Sequence, residues 1–191
     1  MKKLIFGIIA LTVLVNSCRK PKGNEECTWK LKTTGMVCGT CKMPSSNDYK
    51  QYKCNNLDSL DTCSYNLFLL TTYFNGEYLS HEMCSTPKDS IVGKISNITL
   101  ICNYDYNQNF KKDDTINSIL KVVYQQYNGG ITDTPIMLDN YLVSNPICTG
   151  YINFLLTQPP DSTSIQSFKI IYKEDDGTQY QAETKPIYIK Q

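Results

Sequence analysis

The sequence is poor in the residues that most often carry catalysis. His81 is its only histidine, which excludes a metal site built from several imidazoles and leaves one candidate imidazole base. A nucleophile elbow, a phosphate-binding Walker loop and a dinucleotide-binding glycine pattern are all missing from the sequence. Pairs such as Asp113-Asp114 and Asp175-Asp176 fall in predicted turns, not in the opposed, buried setting that a general acid and base need. We therefore predict a non-enzymatic protein with no metal and no cofactor.

The sequence also lacks an excess of charge of either sign. It has 19 Lys and Arg against 18 Asp and Glu, a net charge of +1. Nucleic-acid binders usually show a basic face and a high pI, so we expect no nucleic-acid partner. Long stretches of helical period are missing too, whereas 14 tyrosines and alternating Tyr and Thr are typical of β-strands.

Only one long hydrophobic run is present, and it lies at the N-terminus. Leu4 to Val15 follows Lys2 and Lys3 and is too short to span a membrane, which is typical of a signal peptide. The closing residues Val15-Asn16-Ser17-Cys18 resemble the lipobox of bacterial lipoproteins, which implies cleavage before Cys18 and a lipid on that cysteine. We predict a signal peptide over 1–17 and a lipidated tether over 18–26. The alternative is an ordinary Cys18 behind a conventional signal.

Eight cysteines follow Cys18, and an even number suits disulfides in an oxidising compartment. We predict four bridges that use all eight, without assigning most of the pairs, and we expect Cys102 to pair with Cys148. The predicted disulfide cysteines are Cys27, Cys38, Cys41, Cys54, Cys63, Cys84, Cys102 and Cys148.

Cys38-Gly-Thr-Cys41 has the spacing of a thioredoxin-type redox motif. Such a motif acts at a helix N-terminus that follows a strand in a βαβ unit. Met36-Val37 is too short for that strand, and Lys42 to Ser46 does not begin a helix, so we favour structural bridges. A thiol-disulfide oxidoreductase of the cell envelope that uses Cys38 and Cys41 is the alternative function. A zinc site with two further cysteines is a weaker one, because no second C-x-x-C is present.

The pattern of turns and strands predicts an all-β fold. We expect a Cys-rich, loop-rich segment over 27–90, with a hairpin at Asn75-Gly76, and a β-sandwich portion over 91–191, the two together forming one domain or two. The fold class is an immunoglobulin-like antiparallel β-sandwich with a Cys-rich, loop-rich N-terminal part. Residues 27–34 are compatible with a first strand, and 35–61 are predicted as loops. The main predicted strands are 66–74, 77–83, 91–95, 98–104, 119–127, 136–143, 151–157 and 168–172. Asp176-Gly177 is predicted as a turn, with short strands around Tyr180 and Ile187, and the Ile119 run is also compatible with a short helix.

Two short motifs suggest further chemistry. Oxygen-bearing side chains at alternate positions from Asn103 to Asn109, with Asp114 at the twelfth position, approximate a calcium loop, but Gln108 stands where that loop needs glycine. We interpret the segment as a polar loop. The Asp-Ser/Thr motifs at Ser59, Ser90, Thr115 and Ser162 resemble O-glycan acceptor motifs of some exported bacterial proteins.

The C-terminal half ends in Phe168-Lys-Ile-Ile-Tyr172, Glu174-Asp-Asp-Gly177 and Lys185-Pro-Ile-Tyr-Ile189. With Cys18, these patterns resemble an uncharacterised family of small bacterial lipoproteins, a domain of unknown function found mainly in gut-type Gram-negative anaerobes. The resemblance implies a lipid-anchored, exported β domain. We predict a module held in the outer membrane by Cys18, on the periplasmic side or at the cell surface, that binds a protein or a glycan. An assembly subunit is a third option.

Overall fold

The protein is almost entirely β in the computed structural model, with mostly antiparallel sheets, which confirms the predicted all-β class. The structure describes residues 28–47, 49, 55–78, 88–124, 134–144, 146 and 150–191. Within these ranges no helix has both the length and the apolar character that crossing a bilayer requires. The immunoglobulin-like topology stays a prediction.

The described residues form thirteen strands, two single 3₁₀ turns and one short helix. The strands are β1 (Thr28–Lys42), β2 (Asn55–Asn56), β3 (Thr62–Ser64), β4 (Phe68–Tyr78), β5 (Lys88–Val92), β6 (Ile95–Cys102), β7 (Leu120–Tyr124), β8 (Ile136–Met137), β9 (Tyr151–Leu156), β10 (Ser164–Gln166), β11 (Phe168–Glu174), β12 (Gln179–Glu183) and β13 (Ile187–Lys190). The helix is α1 (Leu138–Val143), and the 3₁₀ turns are Tyr65–Leu67 and Asn117–Ile119.

The largest described sheet has seven strands in the order β2-β1-β4-β9-β7-β8, with β5 running parallel to the first part of β1. Two three-stranded sheets, β12-β11-β6 and β10-β13-β3, complete the layers. One face of the large sheet packs on both smaller sheets, because side chains alternate between faces along each strand. This inner face builds the main core, in which Leu70, Phe154, Leu100, Phe168 and Ile187 are all buried.

The N-terminal half contributes more sheet than the sequence predicts. Residues 35–42 were predicted as loop but belong to β1, which pairs with β4 along most of its length. The hairpin predicted at Asn75-Gly76 is also wrong. Both residues lie inside β4, where Gly76 faces Thr33 and Asn75 faces Gly35 across a register shift. Thr34 is the extra residue of a β-bulge in β1, so the Asn-Gly pair lies opposite a bulge and not in a turn.

The predicted strands 98–104, 151–157 and 168–172 overlap β6, β9 and β11. The predicted strand 91–95 is interrupted between β5 and β6, β10 was not predicted, and residues 125–127 of the predicted strand 119–127 lie outside the described residues. The prediction at Ile136–Val143 differs in kind. Strand pairing there ends at Met137, and α1 follows. The prediction of a strand is wrong because Leu138 and Tyr141, three residues apart and both fully buried, occupy one face of a helical turn. The run that begins at Ile119 was compatible with a strand or a short helix. In the structure a 3₁₀ turn ends at Ile119, and strand β7 follows it directly. The turn at Asp176-Gly177 is confirmed by the positive φ of Gly177.

Candidate binding face

The predicted cysteine sites divide into three groups in the structure. Cys41 is disulfide-bonded. Cys38, Cys63 and Cys102 carry free thiols, so the prediction that all eight cysteines are bridged is wrong for these three, and the expected Cys102–Cys148 pair is wrong as well. The remaining predicted positions, with the lone histidine, lie outside the described residues: Cys18, Cys27, Cys54, Cys84, Cys148 and His81.

The three free cysteines have a packing role, which explains why they need no disulfide partner. Cys63 and Cys102 are 1% and 0% exposed within the main core, and Cys38 packs against its edge. A buried thiol behaves as a small hydrophobic side chain. Burial raises the pKa of the Cys63 thiol to about 11 and, together with Asp114 and Asp105, that of Cys102 to about 12. These thiols therefore contribute to packing.

The C-x-x-C motif lies within β1, not at the start of a helix. Cys38 faces the main core, whereas Cys41 lies on the opposite, outer face with Met43 and Leu69. Residues three apart on a strand point to opposite sides of the sheet, so this geometry does not bring the two sulfurs together. Burial, with a smaller effect of Glu183, raises the pKa of the Cys38 thiol to about 11, whereas a redox-active thiol has a lowered pKa.

The outer face of the large sheet has a buried part at one end. Cys41, Met43 and Leu69 form a small apolar cluster, against which Tyr49 and Leu155 pack. Beside the cluster, the buried Thr71 hydroxyl donates a hydrogen bond of 2.8 Å to Asn153 Oδ1. Asn153 Nδ2 in turn donates to the Tyr49 carbonyl at 3.2 Å.

Farther along the same face, three neighbouring strands expose large side chains side by side. Val37 of β1 pairs with Tyr73 of β4, and Tyr73 pairs with Tyr151 of β9. Val37 is 51% exposed and Tyr73 is 43% exposed, while Tyr151 is half-buried. Gly39, two residues from Val37 on β1, has open space where a side chain would stand. We call Val37, Tyr73 and Tyr151 the outer row.

The outer row was not predicted from the sequence. The signal is the alternation along β1 and β4, since Met36 and Phe74 of the adjacent pair face the main core. This alternation shows which residues face outward only when the register of β1 on β4 is known, because a shift by one residue exchanges the two faces.

A gap among the described core side chains offers no comparable site. The space among the core side chains at the centre of the sandwich leaves no room for a water molecule. It is lined by Phe68, Leu70, Leu100, Ile116, Leu120, Phe154, Leu156 and Phe168. Close packing of this kind stabilises the fold and does not hold a ligand.

The segment that approximates a calcium loop uses its oxygens to hold its own backbone. Asp105 Oδ1 accepts the Lys112 amide at 2.9 Å, Asp114 Oδ2 accepts the Lys111 amide at 2.7 Å, and Asn107 Oδ1 accepts two further amides. Among the described residues, no cluster of three His, Cys, Asp or Glu side chains could hold a metal ion. The interpretation as a polar loop fits this geometry.

Comparisons with known proteins give little likeness. No protein-family model and no curated protein matches the chain. Among solved structures, a family 123 glycoside hydrolase from Clostridium perfringens, described in a study of glycolipid glycan hydrolysis, is similar over 82% of this chain with 13% identity and a TM-score of 0.30. The match spans 27% of the hydrolase chain.

Proposed function

We propose that the chain is a non-enzymatic, exported lipoprotein. In this proposal Cys18 carries the lipid anchor in the outer membrane, and the β domain binds a protein or glycan partner through the outer row. The observation that carries the binding role is the row itself: one valine and two tyrosines of three paired strands stand together on a sheet face, with Val37 and Tyr73 substantially exposed.

The residue types of the outer row suit a contact surface. Tyrosine offers a large area with only two side-chain torsions to order, and its hydroxyl can hydrogen-bond at the rim of an interface. Strand pairing fixes the spacing of Val37, Tyr73 and Tyr151 before any partner arrives, so little ordering entropy is lost on binding. The open space over Gly39 lets a partner approach the backbone closely.

The positions of Cys38 and Cys41 and the raised pKa of the Cys38 thiol favour a binding role over redox catalysis. The sulfurs of Cys38 and Cys41 lie on opposite faces of one sheet, and the Cys38 thiol has a raised pKa. The alternative function, an envelope thiol-disulfide oxidoreductase, needs two sulfurs close enough to bond and one activated thiol. It therefore has less support than the binding role.

Photo-cross-linking in the producing cell tests the proposal directly. Tyr73 is replaced by the photoreactive residue benzoylphenylalanine, and a second variant carries the same residue at Tyr104. Tyr73 and Tyr104 are equally exposed, at 43%, so they form a matched pair of which only Tyr73 belongs to the outer row. We expect a cross-linked species of higher mass from the Tyr73 variant alone. Equal cross-linking at both positions, or none at either, would contradict a binding role for the row.

The anchor is tested in the same cells with a Cys18→Ser variant. We expect the wild-type protein to fractionate with the outer membrane and the variant to lose that association, since the lipid supplies the anchor. Membrane association that survives the substitution would argue against the lipoprotein proposal while leaving the cross-linking result intact.

A further inference from the structure

A buried carboxyl group lies where the two layers of the sandwich meet. Glu174, at the end of β11, is only 2% exposed. Its backbone is fixed on two sides: its amide donates to the Thr178 carbonyl at 2.9 Å, and the Ser96 hydroxyl donates to its carbonyl at 3.0 Å. Ser96 is the extra residue at a register shift between β6 and β11. The side chain therefore has a fixed origin and little freedom to reach solvent.

The carboxyl group contacts elements of both layers. The Thr33 hydroxyl, at the β1 bulge, hydrogen-bonds it. Its Oε2 atom lies over Gly93, which has φ +115° and where an added Cβ would approach to 3.0 Å. Its Oε1 atom is buried and has no hydrogen-bond partner in the described part of the chain. An ionised carboxylate at this position would have too few donors for its charge.

A second hydrogen bond joins β12 to the same residue of β1, Thr33. The Tyr180 hydroxyl donates to the Thr33 carbonyl at 2.7 Å. Thr33 thus links β1 to Glu174 of β11 through its side chain and to β12 through its backbone. Any movement of the carboxyl that separates β1 from β11 also strains the Tyr180 bond.

The charged groups around Glu174 only partly balance. Lys32 of β1 favours the ionised form, whereas Asp176 and Asp175 of the following turn oppose it. Lys94, beside Gly93, offers its backbone amide to Asp175. Burial is the largest effect, and it raises the pKa of Glu174 above its ordinary value of 4.5 despite the Thr33 hydrogen bond.

We propose that Glu174, Thr33 and Gly93 form a proton-dependent joint between the layers, closed while the carboxyl is neutral and loosened when it ionises. The neutral acid tolerates the dry setting over Gly93, whereas the ionised group needs water that only a parting of β1 from β11 and β12 can supply. Since burial favours the protonated form in the folded state, the stabilisation is complete at low pH. It is lost as the pH rises through the folded pKa.

The experiment follows the joint by amide hydrogen exchange at Gly35 and Tyr180 from about pH 3 to pH 9, a range that begins below the ordinary pKa of a glutamate, with correction for intrinsic exchange. In the wild-type protein we expect protection at both amides to fall by at least about tenfold as Glu174 ionises. Glu174→Gln should hold protection constant because the amide mimics the neutral acid. Glu183→Gln, an exposed glutamate of β12, is the matched control and should behave as wild type.

A ¹³C titration of the Glu174 carboxyl in the wild-type protein decides the matter even if Glu174→Gln does not fold. The proposal requires a midpoint above 4.5 that coincides with the loss of protection. A midpoint at or below the ordinary value, or a loss of protection that Glu174→Gln shares with the wild type, would overturn it.

Discussion

The two faces of the large sheet are made by the same strands but serve different purposes. On the inner face, Leu70 of β4 packs with Phe154 and Phe168 in the main core. On the outer face, the adjacent Leu69 belongs to a cluster in which the described residues supply two other buried side chains, Cys41 and Met43. Both leucines are buried to within 1% of complete. Burial alone therefore does not say how much a side chain contributes; the number and rigidity of its neighbours do.

Substitution of the adjacent leucines gives the largest expected effect. Leu70→Ala should lower the free energy of unfolding by about 4 kcal/mol, because rigid aromatic neighbours keep the cavity open. Leu69→Ala should cost about 2–3 kcal/mol, since the small outer cluster with its flexible Met43 can collapse into the gap.

Urea unfolding of the two variants, with the slope of the transition checked for constancy, measures the difference. Equal losses, or a larger loss for Leu69→Ala, would mean that the outer cluster is as rigid as the main core.

The C-x-x-C motif has one cysteine on each face of the large sheet. The next prediction concerns the reactivity of its inward-facing thiol, Cys38. With its pKa raised from 9.0 to about 11, the inward-facing Cys38 thiol at pH 8 should hold about 100-fold less thiolate than an ordinary cysteine. We expect its alkylation by iodoacetamide, followed by mass spectrometry, to accelerate about tenfold per pH unit and to level only near pH 11. The denatured protein serves as the control. A rate that already levels near pH 7 would show an activated thiol and revive the redox alternative.

The all-β class could be predicted from composition because Tyr and Thr at alternate positions leave few other structures. Some strands after residue 90 were recognisable from one buried and one more exposed face, as the alternating burial of β11 illustrates. β9 buries three residues in a row, so it was recognisable from its apolar composition instead. The turn at Asp176-Gly177 was recognisable for a different reason: few residues tolerate the positive φ found at Gly177.

The N-terminal strands were predicted only in part: strands over 27–34 and 66–74 were expected, but not the continuation of β1 to Lys42 or of β4 to Tyr78. β1 buries residues on both faces toward its end, where the adjacent Thr40 and Cys41 are both buried, so its sequence shows no clear alternation. Asn75-Gly76 is a strong local turn signal, but pairing with the bulged β1 overrides it.

The candidate sites were harder still to predict from the sequence, because they depend on tertiary structure. An even number of cysteines suggests complete pairing, yet a buried unpaired thiol such as Cys102 has the same sequence signature as a bridged one. The outer row and the Glu174 joint both combine residues distant in sequence, and each depends on a register that only the folded sheets define.

Substitution of two adjacent threonines on β4, one on each face of the sheet, gives the smallest expected loss of stability. It compares the two faces at neighbouring positions of one strand. On the outer face, Thr71→Val removes the only described donor to Asn153 Oδ1, a buried oxygen, and should cost about 1–3 kcal/mol. On the inner face, Thr72 donates to the carbonyl of Ile152, its partner in the β4–β9 ladder. We expect that carbonyl to keep its backbone donor, so Thr72→Val should cost only about 0.5–1 kcal/mol. Both substitutions conserve shape and β-branching, which leaves the fate of the acceptor as the main difference between them. Urea unfolding of the two variants measures it, and a cost for Thr72→Val that matches or exceeds that for Thr71→Val would show that the buried polar pair on the outer face contributes no special stability.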